Sequence, residues 1–364
     1  MRRAISLAKK GEGQTNPNPL VGAVLTKNNV IIGEGFHQKY GELHAERAAL
    51  KNCADNGNSA DGATLYVTLE PCCHFGKQPP CTQAIVTAGI KKVVIGSRDP
   101  NPLVHGNGSA FLREHGIEVT EDFLKNECDA LNPIFFHYIS THTPYVALKY
   151  AMTADGKIAT KTGASKWISG EKSRRLVHRL RNRYACILAG IGTVLADDPL
   201  LTCRIPGGKN PVRIICDSTL RIPLQSAIVK TAAEIPTIIV CREETEKKSS
   251  LEKNGCEVLC LPGKNGIDLN KLMQILAERK LDSVLIEGGS EIQYSALKAG
   301  IVHHIYAFIA PKIFGGSAKS PVGGEGVEFP ENCFSLSTER IQRIGEDILV
   351  EYAAAGKPEQ REDA

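Results

Sequence analysis

The sequence has few aromatic residues, little net charge and no long apolar run. Phe, Tyr and Trp make up 5% of the 364 residues, and the formal net charge is +4. A nucleic-acid-binding surface usually concentrates basic charge and stacking aromatics in one place, so the composition argues against nucleic acid as a partner. The apolar runs, such as 187–189 and 284–286, are far shorter than the roughly 20 residues of a membrane-spanning helix. We therefore expect no association with a membrane.

Two further signals are missing. The sequence contains no Gly-x-Gly-x-x-Gly motif, so a Rossmann-type dinucleotide site is not supported. The N-terminal segment has the pattern of a short amphipathic helix that ends at Gly11, and it lacks the apolar core of a secretory signal. We therefore expect a cytoplasmic protein.

Cysteine, in contrast, is abundant. Twelve cysteines in a long chain without a secretory signal are expected to be reduced thiols rather than a disulfide framework. Most of them, such as Cys186 and Cys216, stand alone in apolar runs, where cysteine behaves as a small buried hydrophobe. Only Cys72, Cys73 and Cys81 form a cluster that suggests chemistry.

The length of the chain suggests two domains, since one domain typically takes about 150 residues. The polar stretch 140–144 is the predicted boundary, which gives a first domain over 1–143 and a second over 144–355. The charged residues 356–364 lack apolar anchors and are predicted to be disordered.

Both domains alternate helix and strand patterns, which is typical of layered α/β folds. In the first domain the patterns predict strands at 21–26, 30–37, 63–69, 92–96 and 117–120 and helices at 44–54, 82–88 and 109–115. In the second domain they predict strands from 145 and at 185–190, 212–216, 237–241, 257–261, 283–287 and 304–309. A long basic helix is predicted at 171–183, with Ser169 as its N-cap.

The strongest chemical signal combines His44 and Glu46 with two cysteines, Cys72 and Cys81, each preceded by proline. One histidine and two thiolates suit a catalytic zinc site, which keeps its fourth tetrahedral position for water. Zinc lowers the pKa of that water, and Glu46 is placed to pass its proton to a ring nitrogen and to leaving ammonia. This is the His-x-Glu and Pro-Cys signature of zinc nucleobase deaminases.

Two features leave the ligand set open at this point. In the general signature two residues separate the cysteines, whereas here Cys81 lies nine positions after Cys72. Cys73 and His74 lie between them and are alternative ligands. A purely structural zinc is the other alternative, but such sites use four protein ligands and would leave Glu46 without a role.

Five segments give the first domain a specific resemblance. They are TNPNPLVG at 15–22, HAE at 44–46, YVTLEPC at 66–72, GKQPPC at 76–81 and RDPNPLV at 98–104. Together they resemble the bacterial bifunctional deaminase/reductase family of riboflavin biosynthesis, in which the long spacing between the cysteines is usual. Two departures are Cys73 in place of a usual Ser and Gln78 in place of a usual Thr.

The resemblance implies a cytidine-deaminase-like, three-layer α/β/α first domain, with zinc on His44, Cys72 and Cys81 and with Glu46 as the proton shuttle. The substrate-lining positions that it implies are Asn18, His37, Lys77, Asp99 and Asn101. From the residues alone, Asn18 is equally a turn residue before proline, and Lys77 is equally a solvated loop charge.

The resemblance continues through the second domain, in the segments 148–149, 155–159, 165–168, 192–194, 196–199 and 201–202. It implies a dihydrofolate-reductase-like α/β fold that binds NADPH. The residues themselves offer only Gly288 and Gly289 before a helix that starts at Ser290 or Glu291. Such a turn lets a helix N-terminus approach a phosphate, but more often it is just a tight turn.

The resemblance also implies individual contacts in the second domain. Those to NADPH are Ala151, Trp167, Thr193, Asp197, Ser218, Gly289, Ser290, Glu291, Ile292, Gln293, Tyr294 and Ser295. Those to the ribose-phosphate substrate are Lys149, Ser165, Arg181, Leu201, Arg204 and Glu287. Arginine supplies forked donors for a phosphate, yet the sequence alone favours a solvated charge on the basic helix for Arg181. Trp167 is equally a core residue.

The implied function is a sequence of two reactions. The first is the hydrolytic, zinc-dependent deamination of 2,5-diamino-6-ribosylamino-4(3H)-pyrimidinone 5′-phosphate, and the second is the NADPH-dependent reduction that gives 5-amino-6-ribitylaminouracil 5′-phosphate. A small phosphorylated pyrimidine is the expected partner, and a homo-oligomer is expected. The alternatives are a deaminase of nucleosides or nucleic acids, a zinc-stabilised scaffold without activity, and a deaminase whose second domain has lost its reductase activity.

Overall fold

The computed structural model describes residues 1–75, 78–101, 104–264 and 266–354. The chain divides into two compact units, Met1–Thr143 and Pro144–Ala364. Lys77, a predicted substrate contact, and the segment 356–364, predicted to be disordered, lie outside the described residues.

The first unit is built around one five-stranded sheet. Its described strands are β1 (Gly22–Lys27), β2 (Val30–Phe36), β3 (Thr64–Leu69), β4 (Lys92–Ser97) and β5 (Glu118–Thr120). Its described helices are α1 (Arg2–Ala8), α2 (Ala45–Asp55), α3 (Cys81–Thr87), α4 (Asn107–Glu114), α5 (Lys125–Asp129) and α6 (Pro133–Thr141). The strand order is β2-β1-β3-β4-β5; β1 is antiparallel to both of its neighbours, whereas β3, β4 and β5 run parallel.

Apolar runs explain the centre of this sheet. Leu65, Val67, Val93 and Ile95 on β3 and β4 are fully buried, as expected for parallel strands covered on both faces. Helix α2 lies close to strand β2 because Gly35 has no side chain. A Cβ at that position would come within 2.3 Å of a backbone nitrogen of α2. This close approach places the N-terminus of α2 at the end of the sheet.

The second unit is built around a nine-stranded sheet. Its described strands are β6 (Tyr145–Thr153), β7 (Cys186–Gly190), β8 (Val212–Cys216), β9 (Thr237–Cys241), β10 (Glu257–Cys260), β11 (Pro262–Gly263), β12 (Gly266–Ile267), β13 (Ser283–Glu287), β14 (His304–Ala310), β15 (Leu336–Ile344) and β16 (Asp347–Ala354). Its described helices are α7 (Glu171–Arg183), α8 (Ile191–Asp197), α9 (Ala227–Lys230), α10 (Lys247–Lys253), α11 (Leu269–Glu278) and α12 (Ser290–Lys298).

The strand order of the larger sheet is β10-β9-β8-β7-β13-β6-β14-β16-β15, and β11 pairs with β12 separately. All neighbours from β10 to β14 are parallel, and β16 and β15 add an antiparallel hairpin at one edge. Because the carboxyl ends of parallel strands meet at one edge, polar residues that follow them are brought together there. Thr193, Ser218 and Glu287 lie at or just after such strand ends, and Lys149 on β6 is paired in register with Glu287.

Three parts of the fold differ from the sequence expectation. The predicted N-cap Ser169 is wrong, because Gly170 occupies the cap of α7 and donates its N–H to Asp347 at 2.8 Å. Asp347 also accepts the Ser173 hydroxyl at 2.5 Å, so the cap comes from a distant strand. Helices α5 and α6 and the hairpin β15–β16 were not predicted; β15 is exposed at most positions and its apolar residues do not alternate.

Two observations bear on the class of protein. No helix in the described ranges is long and apolar enough to cross a bilayer. All twelve cysteines fall within the described part of the chain, and none of them forms a disulfide.

Candidate active sites

Three donor atoms converge in the first unit. His44 is the N-cap of α2, Cys81 is the first residue of α3, and Cys72 lies in the loop after β3. The Nδ1 atom of His44 is 3.5 Å from the Cys72 Sγ and 3.4 Å from the Cys81 Sγ. Among the residues that the structure describes, these three form the one group of histidine, cysteine and acidic side chains able to hold a metal ion, with all ligand atoms within 4.8 Å of one another.

The spacing of these donors fits zinc. Tetrahedral zinc with Zn–S near 2.3 Å and Zn–N near 2.0 Å places sulfur and nitrogen about 3.5 Å apart, which agrees with both distances in the structure. Two thiolates and an imidazole are also donors that zinc prefers, and three protein ligands are typical of a catalytic rather than a structural site.

One of the two thiols, that of Cys72, is prepared for metal binding. Hydrogen bonds from Cys81 and His44 lower the pKa of Cys72 to about 4 against the opposing effect of burial, so one thiolate is present near neutral pH. The backbone N–H of Cys81 also points to the Cys72 sulfur at 3.4 Å, because Cys81 begins a helix whose first amides are available as donors.

Glu46 lies beside the donors in the first turn of α2 and is 4% exposed. Burial, together with the charge of Cys72, raises the pKa of its carboxyl group to about 7. A carboxyl group with a pKa near neutrality can both accept and return a proton, which is what a shuttle requires.

Cys73 and His74, the alternative ligands, are not members of the metal-binding group. Burial raises the pKa of the Cys73 thiol, which disfavours its thiolate form. The His74 Nδ1 atom is buried and has no hydrogen-bond partner among the described residues.

Two predicted substrate contacts, Asn18 and His37, lie next to His44. The His37 ring meets the His44 ring edge-on, with centroids 5.4 Å apart. Its Nδ1 is 3.0 Å from the Leu43 carbonyl and its Nε2 is 3.1 Å from the Asn18 Nδ2. A carbonyl only accepts, so Nδ1 carries the proton and Nε2 accepts from the amide. Burial lowers the pKa of His37, and the neutral ring therefore orients Asn18.

The sequence motifs gave no role to Glu70, but in the structure it binds the backbone of the segment that carries the other two described predicted contacts, Asp99 and Asn101. Its buried carboxylate accepts the backbone N–H groups of Asp99 at 3.4 Å, Gly106 at 3.1 Å and Ser109 at 3.1 Å. Glu70 thus holds the segment after β4 to the cysteine loop. The position of this glutamate two residues before Cys72 was the available signal.

The segment held by Glu70 carries Asp99 and Asn101. Asp99 is 7% exposed, its Oδ1 accepts the Asn101 N–H at 2.9 Å, and its backbone oxygen is 3.0 Å from the His105 Nδ1. Burial raises the pKa of Asp99 to about 6. Since β3 and β4 are parallel, this segment and the Cys72 loop emerge at the same edge of the sheet.

In the second unit, three predicted substrate residues form one buried ion cluster. Glu287 at the end of β13 is paired across the sheet with Lys149 on β6, and their charged atoms are 3.6 Å apart. Arg181 from α7 donates two hydrogen bonds to the same carboxylate, one at 3.0 Å, and a third to the Thr202 carbonyl at 2.9 Å. The Arg181 side chain is 13% exposed, which excludes a purely solvated role.

The charges in this cluster depend on one another. Burial alone would raise the pKa of Glu287, but Arg181 and Lys149 together lower it to about 2. Burial lowers the pKa of Lys149, and the negative charge of Glu287 opposes that shift. A buried lysine with a carboxylate partner is a plausible place to hold or release a proton.

A second pair of predicted contacts adjoins Trp167. The Ser165 hydroxyl donates to the Asp197 carboxylate at 2.8 Å, and the Lys166 ammonium donates to the Asp197 backbone oxygen at 3.0 Å. The Trp167 side chain is 63% exposed and lies 4.8 Å from the Arg174 guanidinium. Trp167 is therefore not a core residue, and its ring is open to a ligand.

The glycine turn before α12 is tightly built. Gly288 has φ +87°, and a Cβ there would lie 2.9 Å from the Thr193 hydroxyl, so only glycine fits. In the first turn of α12, Gln293 is 1% exposed, and its Oε1 has no partner among the described residues. A buried acceptor without a partner fits a donor of a bound ligand.

Other residues of this predicted cofactor segment have partners within the protein. Glu291 accepts the Gly324 N–H at 3.2 Å, the Tyr294 hydroxyl donates to the Gly326 carbonyl at 3.2 Å, and the Ser295 hydroxyl donates to the Glu291 carbonyl at 2.9 Å. The first two of these contacts hold the segment 323–326 over the helix.

The remaining predicted contacts differ in exposure. The Leu201 side chain is 3% exposed and packs in the apolar core, so only its backbone can face a ligand. The Arg204 N–H is 3.3 Å from the His178 Nδ1, and Arg204 itself is exposed. Ser218 follows β8, Ala151 lies half-buried on β6, and the Ile292 side chain packs in the core.

The fold and the first site define a zinc-binding deaminase domain joined to a second α/β domain. Residues 1–97 match the cytidine and deoxycytidylate deaminase zinc-binding region, and residues 144–350 match the RibD C-terminal domain. The chain belongs to the RibD family of riboflavin biosynthesis proteins, which are bifunctional deaminase/reductases.

Individual relatives agree over nearly the full length. The riboflavin biosynthesis protein RibD of Actinobacillus pleuropneumoniae is 53% identical over 97% of this chain and 94% of that protein; that of Aquifex aeolicus is 45% identical over 96% of each. The crystal structure of the diaminohydroxyphosphoribosylaminopyrimidine deaminase/5-amino-6-(5-phosphoribosylamino)uracil reductase of Thermotoga maritima covers 98% of this chain and 97% of its own, with a TM-score of 0.86 and 41% identity.

These similarities confirm the predicted family, the α/β fold class with its deaminase-like first domain and its reductase domain, and the combination of two enzymatic activities. The cofactors of this family are those predicted, zinc for the deaminase and NADPH for the reductase.

Proposed function

We propose that residues 1–143 deaminate 2,5-diamino-6-ribosylamino-4(3H)-pyrimidinone 5′-phosphate and that residues 144–355 then reduce the ribosyl chain with NADPH, giving 5-amino-6-ribitylaminouracil 5′-phosphate. The observation that carries the proposal is the convergence of His44, Cys72 and Cys81 around a common point beside the buried Glu46. Membership of the RibD family supports the choice of substrate.

In the deaminase, His44, Cys72 and Cys81 would hold zinc, which when bound supplies a Lewis acid that lowers the pKa of the attacking water. Glu46 accepts one proton from this water and delivers it to the ring nitrogen. It then takes the second proton from the hydroxyl group added to the ring carbon and passes it to the amino group, so that the C–N bond breaks with ammonia as the leaving group and a carbonyl remains. His37 and Asn18 orient the pyrimidine, and Asp99 and Asn101 bind it from the opposite segment.

In the reductase, NADPH when bound supplies a hydride for the first carbon of the ribosyl chain. Lys149 holds the proton that the opening sugar oxygen takes up, and Glu287 keeps that ammonium in place. Arg204 supplies forked donors for the substrate phosphate, and Arg181 supplies them for Glu287.

Lys77 is proposed as a further substrate contact of the deaminase.

The cofactor is proposed to lie along the carboxyl edge of the larger sheet. Its contacts there are Ala151, Trp167, Thr193, Asp197, Ser218 and residues 289–295, while Ser165 and the backbone of Leu201 face the substrate. Support comes from the glycine turn beside Thr193, the exposed Trp167 ring and the unpaired Oε1 of Gln293.

The direct experiment incubates the full-length protein with the diaminopyrimidinone ribosylamine phosphate, with and without NADPH, and identifies the products. We expect ammonia and the aminouracil without NADPH, and the ribityl product with one NADPH consumed when it is added. Absence of ammonia release would contradict the deaminase proposal. Absence of NADPH consumption when the deaminated intermediate is supplied directly would contradict the reductase proposal.

Three expectations of the sequence stay predictions: a homo-oligomer, a cytoplasmic location and the absence of a nucleic-acid partner. Sedimentation of the full-length protein tests the first. The net charge of +4 favours the third, which a binding assay with single-stranded RNA and DNA at physiological salt tests.

A further inference from the structure

The zinc ligands come from three separate chain segments, and one of these is joined to the next by a long loop. Cys81 lies nine positions after Cys72, whereas two intervening residues suffice in the general deaminase signature. A longer loop leaves the second thiol more conformations to lose on binding metal. A separate restraint is therefore needed to fix α3, which begins with Cys81, relative to α2, which is capped by His44.

Arg47 provides such a restraint. It lies on α2, three residues after His44, and its side chain reaches the residues just before Cys81. Its Nη2 donates to the Pro80 carbonyl at 3.0 Å, and its Nε donates to the Pro79 carbonyl at 3.3 Å. Pro80 is the N-cap of α3, so the two hydrogen bonds connect the helix of one zinc ligand to the first turn of the other.

The chemistry of both partners suits a fixed distance. A guanidinium is planar and donates two hydrogen bonds in a set geometry, which the single ammonium of lysine does not. The acceptors Pro79 and Pro80 have φ angles fixed by their rings, and Pro79 is restricted further because a proline follows it, so the segment that carries both carbonyls has fewer conformations to lose. The loop is tied a second time by Gln78, whose Nε2 donates to the Gly41 carbonyl at 3.1 Å.

We propose that Arg47 is a positioning residue for the metal centre: its forked hydrogen bonds to Pro79 and Pro80 hold Cys81 against His44 before the metal arrives, so that zinc enters a preformed site. This inference rests on the proposed ligand set. Residues that orient ligands without touching the metal typically change metal affinity by about 10- to 100-fold, and the clamp acts on the backbone next to a ligand, so we expect about 10-fold.

The test measures the zinc dissociation constant of the full-length apoprotein by competition with a chromophoric chelator. Arg47→Met is expected to raise this constant by about 10-fold. Arg47→Lys keeps the positive charge but loses the forked geometry, and it is expected to lose nearly as much zinc affinity. Lys51→Met is the matched control, because it removes one positive charge from an exposed position of the same helix.

The outcomes separate the clamp from its alternatives. Zinc affinity of Arg47→Met within about two-fold of the wild type would overturn the proposal, as would full affinity in Arg47→Lys, which would show that charge alone matters. Arg47→Lys also carries the test if Arg47→Met does not fold.

Cys81→Ser distinguishes failure of the ligand set from failure of the clamp, since unchanged zinc affinity in that variant would overturn the proposed metal site whatever the Arg47 variants do. Faster amide exchange at Cys81 and Thr82 in Arg47→Lys apoprotein is the expected second readout, and unchanged exchange would count against preformation.

Discussion

Replacing Glu287 by Gln should destabilise the second unit by about 3 kcal/mol near pH 7. Arg181 and Lys149 lower the pKa of this buried carboxyl from 4.5 to about 2, and that difference corresponds to about 3 kcal/mol of stability for the charged form. Gln has nearly the same volume but resembles the neutral form, and it leaves Arg181 and Lys149 without their anion. Breaking one side of a buried ion pair costs a similar amount, about 3–5 kcal/mol.

The pH dependence gives this prediction its sign. The folded-state pKa of Glu287 lies below that of the unfolded chain, so the stabilisation is complete above about pH 5 and is lost as the pH falls towards 2. The difference in unfolding free energy between the wild type and Glu287→Gln should therefore shrink over this range.

The assay follows chemical denaturation by the fluorescence of Trp167, the only tryptophan, which lies in the second unit and so reports on that unit. Glu257→Gln is the matched control, because Glu257 pairs with Arg279 in the same unit, with both side chains more than a third exposed. An exposed pair contributes about 0–1 kcal/mol. Equal effects of the two substitutions, or a Glu287→Gln effect that persists unchanged at low pH, would refute the reasoning.

Three further substitutions test the sites. Glu46→Gln should retain about one zinc per chain by metal analysis yet lose at least about 100-fold in ammonia release; deamination at the wild-type rate would exclude the proton shuttle. Glu70→Gln exchanges an acceptor for a donor facing backbone N–H groups, so the deaminase KM should rise while NADPH oxidation with the deaminated intermediate is unchanged; an unchanged KM would show that the 99–109 segment does not bind substrate. Arg204→Ala should raise the reductase KM by about 10-fold and spare ammonia release, and a loss of both activities would contradict a local role.

The grouping of His44, Cys72 and Cys81 was predictable from the sequence because these residues belong to short local motifs. His44 and Glu46 are two residues apart at a helix start, and each cysteine follows a proline. The role of Glu70 was not predictable in the same way, because its partners are backbone N–H groups up to 39 positions away. A sequence motif shows which side chain is present, but it does not show which distant backbone N–H groups that side chain accepts.

The buried ion cluster of the second unit could not be predicted from local sequence patterns. Arg181 and Glu287 are 106 positions apart, and only the packing of α7 on the sheet makes a basic helix residue into a buried ion-pair partner. The helix cap supplied by Asp347 was not predictable either, because Asp347 is far from Gly170 in the sequence. The hairpin β15–β16 was missed for another reason: β15 is exposed at most of its positions and so carries no alternating pattern.

The most direct measurement of the metal centre is zinc X-ray absorption spectroscopy on the purified full-length protein. The structure predicts two sulfur ligands near 2.3 Å and two nitrogen or oxygen ligands near 2.0 Å, with one sulfur lost in Cys81→Ser. A shell of three or four sulfur atoms, or a spectrum unchanged by Cys81→Ser, would contradict a centre formed by His44, Cys72 and Cys81.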